Sequence, residues 1–592
     1  MMESVTRLRD WLSIKWLDGE LRAELEDLLA AYGREGDGGP AAGEIEDRFY
    51  RDLEFGTAGM RGILGAGLNR MNTPNVMRAT QGFAAHLNDA VRAAGETRPA
   101  KAAIAYDNRR NSELFAFEAA CVFVANGIET YLFGRLSATP LLSYTVRELG
   151  CDGGVVVTAS HNAKEYNGYK IYGNTGCQCL PDEAGKIAAL IEGVDFSSGI
   201  KTVADTYTGS IAERRAAAAA AEPLLHIIPD DFEERFVDAV LEATPECGSI
   251  DMADLNVVYT PLHGAGNIPV RSALAKLGVG KVTVVPEQEL PDPEFTTCPE
   301  PNPENAKALK LGLALCEKLA AEGEAPDILI ATDPDSDRVA IAVHDGGDYR
   351  RINGNELGIL LLDFVTRRNK EAGVFRDDEI VITTIVSSPL VSVMAADSGA
   401  ETRLVLTGFK NIGKVMDELA RAGEEGRYLF GFEESCGYLS GTHVRDKDAI
   451  NASALICAAA ALSKSEGVTL IGRLDEIGKK FGYYHDEVAE FIMPGEKGME
   501  DMARIMEAAR TPAVRDAFKG ALAEYVDFRE VPGLEGNVVE FKFADGSRAM
   551  MRPSGTEPKL KIYISARAAS KEAAAAEFAG IRDRVVAAVG LA

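Results

Sequence analysis

Residues 154–162 read Gly-Val-Val-Val-Thr-Ala-Ser-His-Asn. An apolar β-branched run ends on a hydroxyl, an imidazole and an amide, so a strand runs directly into a polar loop. In α/β folds reactive groups stand at the carboxyl ends of strands, which makes Ser160 a candidate nucleophile or phosphoryl carrier. His161 lies beside it, and Lys170 follows in Asn167-Gly-Tyr-Lys170. Taken alone, the stretch reads equally as an ordinary Ser/His/Asn turn.

The surrounding sequence supports an α/β plan. Upstream, a strand is expected at Ala102–Tyr106, a helix from about Ser112 to Asn126 and a strand near Glu129–Phe133. A second such stretch runs from Leu255 to about Lys318, with strands at Asn256–Thr260 and Lys281–Val285 around a helix beginning near Ile268. A third opens at Asp327–Ala331 and continues through Glu379–Ile385 and the Phe430 region. This is a repeated domain architecture with a period too long for a solenoid. Between the first two units, Ser210–Asp231, with its Ala216–Ala221 run, reads as a connecting helix. Residues 4–48 form an amphipathic helical lead-in. From about Asp486 the alternation stops: strands near Val538–Phe543 and Lys559–Ile564 and a final helix from Lys571 indicate a smaller α+β domain. The expected division is 1–48, 49–208, 209–325, 326–460 and 461–592.

Asp333-Pro-Asp335-Ser-Asp337-Arg338 also follows an apolar strand. Carboxylates at alternate positions of a tight loop can converge on one hard cation, and Mg²⁺ would complete its octahedron with phosphate oxygen and water; a solvated acidic turn is the weaker reading, because three clustered carboxylates repel unless neutralised. An EF-hand loop would need Gly and Glu where Arg338 and His344 stand, so calcium of that kind is excluded. Arg552-Pro-Ser554-Gly555-Thr556 offers a guanidinium, two hydroxyls and a close backbone approach, suited to a phosphate dianion, although a plain Pro/Gly turn has the same composition. Gly431-Phe-Glu433-Glu434-Ser435 can accept from and donate to vicinal sugar hydroxyls, or be an exposed acidic turn. Phe55–Gly62 is a Gly-rich loop carrying Arg61, and Thr407-Gly-Phe-Lys410 delivers a lysine after a strand. Groups this far apart in the chain call for a cleft between domains.

The totals exclude other classes. The chain has 592 residues, too many for one core, and 46% are hydrophobic and 26% charged, a globular composition. With 91 acidic against 63 basic residues and a formal charge of -28, it has no electrostatic footprint for nucleic acid or an anionic membrane. Local cations can still bind an anionic substrate, because exposed charges are screened beyond ~8 Å. The first residues lack a signal-peptide core, no window approaches the length of a membrane span, and the nine cysteines show no disulfide or zinc spacing. A cytoplasmic protein without an obligate protein partner is expected.

Together the Thr-Ala-Ser-His-Asn, Asp-Pro-Asp-Ser-Asp-Arg, Gly-Phe-Glu-Glu-Ser and Arg-Pro-Ser-Gly-Thr-Glu-Pro segments, in this order, resemble the α-D-phosphohexomutase superfamily from Phe55 to about Ile564. Residues 165–173 and 431–450 look most like bacterial phosphoglucomutases of the longer type, related to animal phosphopentomutase and glucose-1,6-bisphosphate synthase. The resemblance implies four domains around a central cleft, three topologically similar α/β domains with mixed sheets and a smaller last one. It further implies a phosphoserine at Ser160, Mg²⁺ on Asp333, Asp335, Asp337 and the serine phosphate, and Arg61, His161 and Lys170 at the transferring phosphate. Arg338, Lys410, Glu433, Ser435, Arg552, Ser554, Gly555 and Thr556 are then substrate contacts. Two departures stand out: Ala163 replaces a common Pro, and no His follows the sugar-loop Gly, where Cys436, Gly437 and Tyr438 stand. The second points the proton route toward Lys170. The implied activity interconverts glucose 1-phosphate and glucose 6-phosphate through glucose 1,6-bisphosphate, with mannose or pentose phosphates, a metal-dependent phosphatase or a sugar-phosphate-binding regulator as alternatives.

Overall fold

The computed structural model describes residues 2–591 apart from 57–58, 249, 494–496 and 555–558. Four sheets follow one another along the chain. The first runs in the order Gly59–Ile63, Tyr166–Gly173, Gly153–Val157, Lys101–Tyr106, Glu129–Phe133, Leu225–Ile228. Its first two pairings are antiparallel and the rest parallel. Apart from Lys101 the central strands are apolar, because both faces are covered. Ala102, Ile104, Val155 and Val157 pack toward the helices Thr73–Ala93 and Ser112–Ala125. Ala103, Ala105 and Val156 pack with Leu141, Leu142 and Val146 of the helix Thr139–Glu148.

The expected connecting helix is only part of what occupies its stretch. Ile211–Ala221 is helical, started by a capping box between Ser210 and Glu213, but Leu225–Ile228 then pairs with Thr130–Phe133 as the edge of the first sheet. That strand is too short to stand out from its neighbours by pattern. The expected boundary at 208/209 therefore falls inside the first unit.

The second sheet is Asp348–Ile352, Val339–Asp345, Ile328–Thr332, Asn256–Thr260, Lys281–Val284. Asn256–Thr260 pairs in parallel with both Lys281–Val284 and Ile328–Thr332, and the latter turns through residues 333–338 into an antiparallel hairpin. A boundary at 325/326 would cut this sheet, so the Asp333 loop belongs to the second unit and not the third. The apolar strand before it closes a unit instead of opening one. The third sheet, Glu401–Val405, Ile380–Thr384, Tyr428–Glu433, Gly437–Ser440, is again mixed. The fourth is antiparallel throughout, in the order Tyr483–Ile492, Lys559–Ala568, Arg548–Pro553, Val539–Phe543, Leu522–Asp527. The helices Gly498–Ala509 and Lys571–Val589 cover one of its faces. The fold is thus the expected set of three mixed α/β units and a smaller α+β unit.

The lead-in is three helices, Met2–Leu12, Gly19–Glu35 and Pro40–Phe49. Asp18 breaks the run by accepting from the Glu20 and Leu21 amides, and Gly36 ends the second helix at φ 71°. Leu8, Trp11, Leu25, Ile45 and Phe49 form a satellite core with Ala66 and Leu68 of the first unit. All nine cysteines are free, and no single helix among the described residues is long and apolar enough to cross a membrane.

Candidate active site

The loops that leave parallel strands at their carboxyl ends meet where the first and second units touch. Ser160 is buried and holds φ 53°, a left-handed conformation that costs a non-glycine residue about 1 kcal/mol or more. Its amide donates to Thr158 Oγ1 at 2.8 Å, and Thr158 Oγ1 donates to Asp107 Oδ2 at 2.6 Å. The freed hydroxyl points across the unit boundary: Ser160 Oγ donates to Asp333 Oδ2 at 2.8 Å and lies 3.1 Å from His161 Nδ1. Burial, with the Arg338 and Arg61 charges, pushes the His161 imidazole well below its ordinary pKa.

Asp333, Asp335 and Asp337 are buried, with one ligand atom from each within 4.8 Å of the others. Asp333 Oδ1 accepts from the amides of Asp337 and Arg338 at 3.1 and 3.0 Å. Asp335 Oδ2 accepts from Lys170 Nζ at 2.7 Å and from Thr139 Oγ1 at 2.9 Å. Asp337 Oδ2 lies 2.8 Å from Lys447 Nζ and 3.4 Å from Lys170 Nζ. The remaining oxygens, Asp335 Oδ1 and Asp337 Oδ1, are buried without a hydrogen-bond partner. Such orphaned acceptors are costly unless something electropositive fills the space, and a hard cation beside Ser160 Oγ fits the donor set.

The charges divide accordingly. Burial raises Asp333 well above the usual carboxylate range, and Asp335 and Asp337 add to it. Asp335 and Asp337 are also buried, yet Lys170 and Lys447 hold both below that range. Burial works against the Lys170 ammonium, but Asp335 and Asp337 outweigh it and keep its pKa above the ordinary lysine value. Lys447 is held up in the same way, burial being outweighed by Asp337 and Asp446.

Arg61, on the edge strand Gly59–Ile63, donates to Asn162 Oδ1 at 2.9 Å and so reaches the serine loop. Arg338 donates to Glu304 at 2.9 Å. Glu433 ends the strand Tyr428–Glu433 and is buried, which raises its pKa against the pull of Lys447 and Arg338. Ser435 lies in the turn that follows, half-buried. Gly437 opposes Glu433 in that hairpin, and a Cβ there would come within 2.5 Å of Lys447 Cδ. The glycine lets the lysine stem pass on its way to Asp337. Lys410, in the first turn of the helix Phe409–Arg421, lines a cavity of about 520 Å³ together with Arg552 and Ser554. Gly555 and Thr556 lie outside the described residues.

Sequence reasoning missed three groups. Lys447 carries no local motif, standing ten residues beyond Gly437 in a turn that ends when Asp448 caps the helix Ala449–Ser465. Asp107 and Arg109 hold the serine loop from below. Their signal was available, since they follow the strand Lys101–Tyr106 as the serine loop follows Gly153–Val157.

A hydroxyl, a carboxylate cluster built for a hard cation and two lysines, set between units of a four-unit α/β chain, define a phosphoryl-handling enzyme. Domain models described as phosphoglucomutase/phosphomannomutase domains I, II and III and C-terminal domain match residues 52–198, 234–347, 353–477 and 493–584. The probable phosphoribomutase of Schizosaccharomyces pombe is 34% identical over 539 residues, covering 88% of each chain. A phosphoglucomutase of Staphylococcus epidermidis is 33% identical over 536 residues, covering 88% of this chain and 92% of its own. In fold, the chain is similar to the open form of the Paramecium phosphoprotein pp63/parafusin, a phosphoglucomutase, with a TM-score of 0.68 at 17% identity over 91% of this chain and 95% of that one. The chain belongs to the phosphoglucomutase/phosphomannomutase family of the α-D-phosphohexomutases. It is an isomerase-class phosphotransferase.

Proposed function

We propose that the protein interconverts α-D-glucose 1-phosphate and glucose 6-phosphate through a phosphorylated Ser160 and a glucose 1,6-bisphosphate intermediate. The observation that carries this reading is the Ser160 hydroxyl, turned by a left-handed backbone onto a buried carboxylate cluster. In the forward step the bond from phosphorus to Ser160 Oγ breaks and a bond to the free sugar hydroxyl forms. That hydroxyl loses its proton as Ser160 Oγ gains one; when the bisphosphate, turned around in the cleft, returns its other phosphoryl group, Ser160 loses that proton and the sugar oxygen released from phosphorus takes one up.

Asp333, Asp335 and Asp337, with the serine phosphate, would hold Mg²⁺, which when bound offsets the negative charge on the transferring group. Lys170, kept protonated by Asp335 and Asp337, acts as a cation and proton donor toward the serine oxygen in this charge state. Neutral His161 stands beside the same oxygen, and Arg61 reaches the serine loop through Asn162 Oδ1. Glu433 and Ser435 contact the sugar, and Lys410, Arg552, Ser554, Gly555 and Thr556 take the phosphate that is not reacting. Excluding water from the closed cleft separates a mutase from a phosphatase.

The test is conversion of glucose 1-phosphate with Mg²⁺ and a trace of glucose 1,6-bisphosphate. Mannose 1-phosphate and ribose 1-phosphate run in parallel, because relatives named for glucose and ribose phosphates are equally similar. Fast glucose turnover that vanishes in Ser160→Ala supports the proposal. Preference for another sugar would keep the phosphoserine and change the substrate, whereas release of free phosphate, or full activity in Ser160→Ala, would overturn it.

A further inference from the structure

We infer that Arg109, covered by Phe295 of the second unit, is a positioning residue that holds the phosphoserine loop in its transferring conformation. The inference rests on Ser160 being the phosphoryl carrier. The Arg109 side chain is fully buried. One guanidinium nitrogen donates to the carbonyls of Ala163 and Tyr166 at 3.0 and 3.1 Å, and the other to those of Ser160 and Asn162. A single planar fork thus gathers carbonyls from the whole turn 160–166. A chain forced to aim those oxygens at one point has little freedom left at Ser160, which explains how a serine stays at φ 53°.

The fork is itself fixed on every side. Asp107 pairs with Arg109 Nε at 3.2 Å and accepts from the Arg109 amide, from Ser112 Oγ and from Thr158 Oγ1, the group that receives the Ser160 amide. The remaining face carries the Phe295 ring, whose centroid lies 5.0 Å from the guanidinium carbon. Phe295 comes from the second unit, and its segment is latched to the first: Asn108 donates to the Asp292 carbonyl at 3.2 Å and Lys164 to Glu294 at 2.9 Å. Because Asp333, Asp335 and Asp337 belong to the same second unit, one docking contact sets both the metal loop and the fork that orients the hydroxyl. The Arg109 guanidinium reaches backbone carbonyls and Asp107 in place of the Ser160 hydroxyl, so its effect passes through the backbone of residues 160–166.

Arg109→Lys keeps the charge but replaces the fork by a point donor that cannot serve all these carbonyls. The expected result is a fall in kcat of about 100-fold, the scale of a small misplacement of reacting groups, with KM for glucose 1-phosphate nearly unchanged. Hydrogen–deuterium exchange in the full-length protein should quicken in peptides covering 158–168 and stay unchanged across the strands of the first sheet. Phe295→Leu, which leaves the fork intact and removes its cover, should lower kcat about 2- to 30-fold and quicken exchange in the same peptides. A folded Arg109→Lys protein with wild-type kcat and wild-type exchange at 158–168 would overturn the inference. So would faster exchange spread over the whole first sheet, which marks a general structural role. If Arg109→Lys does not fold, Phe295→Leu decides by the same two readouts. A wild-type protein without mutase activity would fault the proposed reaction, and the exchange pattern would still decide whether Arg109 holds the loop.

Discussion

The two ends of the site are built differently. At the serine end the polar groups are buried and the charges of Asp335 and Asp337 are already met by Lys170 and Lys447, while Asp335 Oδ1 and Asp337 Oδ1 stay without a hydrogen-bond partner. At the end proposed to grip the non-reacting phosphate, Lys410, Arg552 and Ser554 line a cavity of about 520 Å³ whose walls come from the first, third and fourth units. The first end is an interior, preorganised before substrate arrives; the second is an opening between units. Preorganised charge lowers barriers, whereas groups on separate units supply binding that depends on how the units come together. Chemistry and recognition should therefore separate cleanly under mutation.

The largest effect expected in testing that contrast is at the serine end. Asp335→Asn should lower kcat about 10³-fold, leave the residual activity indifferent to Mg²⁺ and to chelator, and cost about 3 kcal/mol of stability because buried Lys170 loses the nearer of its two carboxylates. Mg²⁺ titration and denaturant unfolding measure the two parts; an unaltered Mg²⁺ dependence would mean that the cluster does not hold the metal. At the other end, Arg552→Ala should raise KM about 10- to 100-fold, the worth of a charge-assisted hydrogen bond, with kcat little changed. A matching fall in kcat in steady-state kinetics would show that this arginine belongs with the chemistry and would blur the comparison.

The smallest effect is one of pH. Burial and the neighbouring Glu433 carboxylate push Glu434 up to about 7 from an ordinary 4.5, and Thr384 donates to it at 3.0 Å. A carboxyl whose folded pKa is raised destabilises the fold increasingly as pH climbs from about 4.5 to 7 and by a constant amount above that. Glu434→Gln should therefore melt higher than wild type at pH 8, with a difference that shrinks toward pH 5. A pH-independent difference in melting temperature would show that this carboxyl does not titrate in the folded protein.

What was legible in the sequence was what a strand can announce. Val155–Val157 and Ile328–Ala331 are apolar runs that end on functional loops, and both loops meet where the pattern placed them. The Asp333 spacing revealed the cluster because alternate carboxylates in one turn have few other uses. Lys447 was not legible, since its approach to Asp337 depends on the missing side chain of Gly437 and on a turn between distant elements. Unit boundaries failed for a related reason. The strand Ile328–Thr332 looks like the opening of a unit until its parallel pairing with Asn256–Thr260 is seen, and pairing is a long-range fact. The edge strand Leu225–Ile228 escaped because its residues carry no alternation of their own.

The left-handed backbone at Ser160 has a consequence for how this chain can change. Glycine is the residue that position would choose on conformational grounds, so Ser160→Gly should unfold at a higher temperature than the wild type while losing all turnover. Selection for robustness alone would erase the proposed phosphoryl carrier. The serine persists only as long as catalysis is demanded of it, so drift at this one codon would convert the enzyme into a sturdier and silent sugar-phosphate binder.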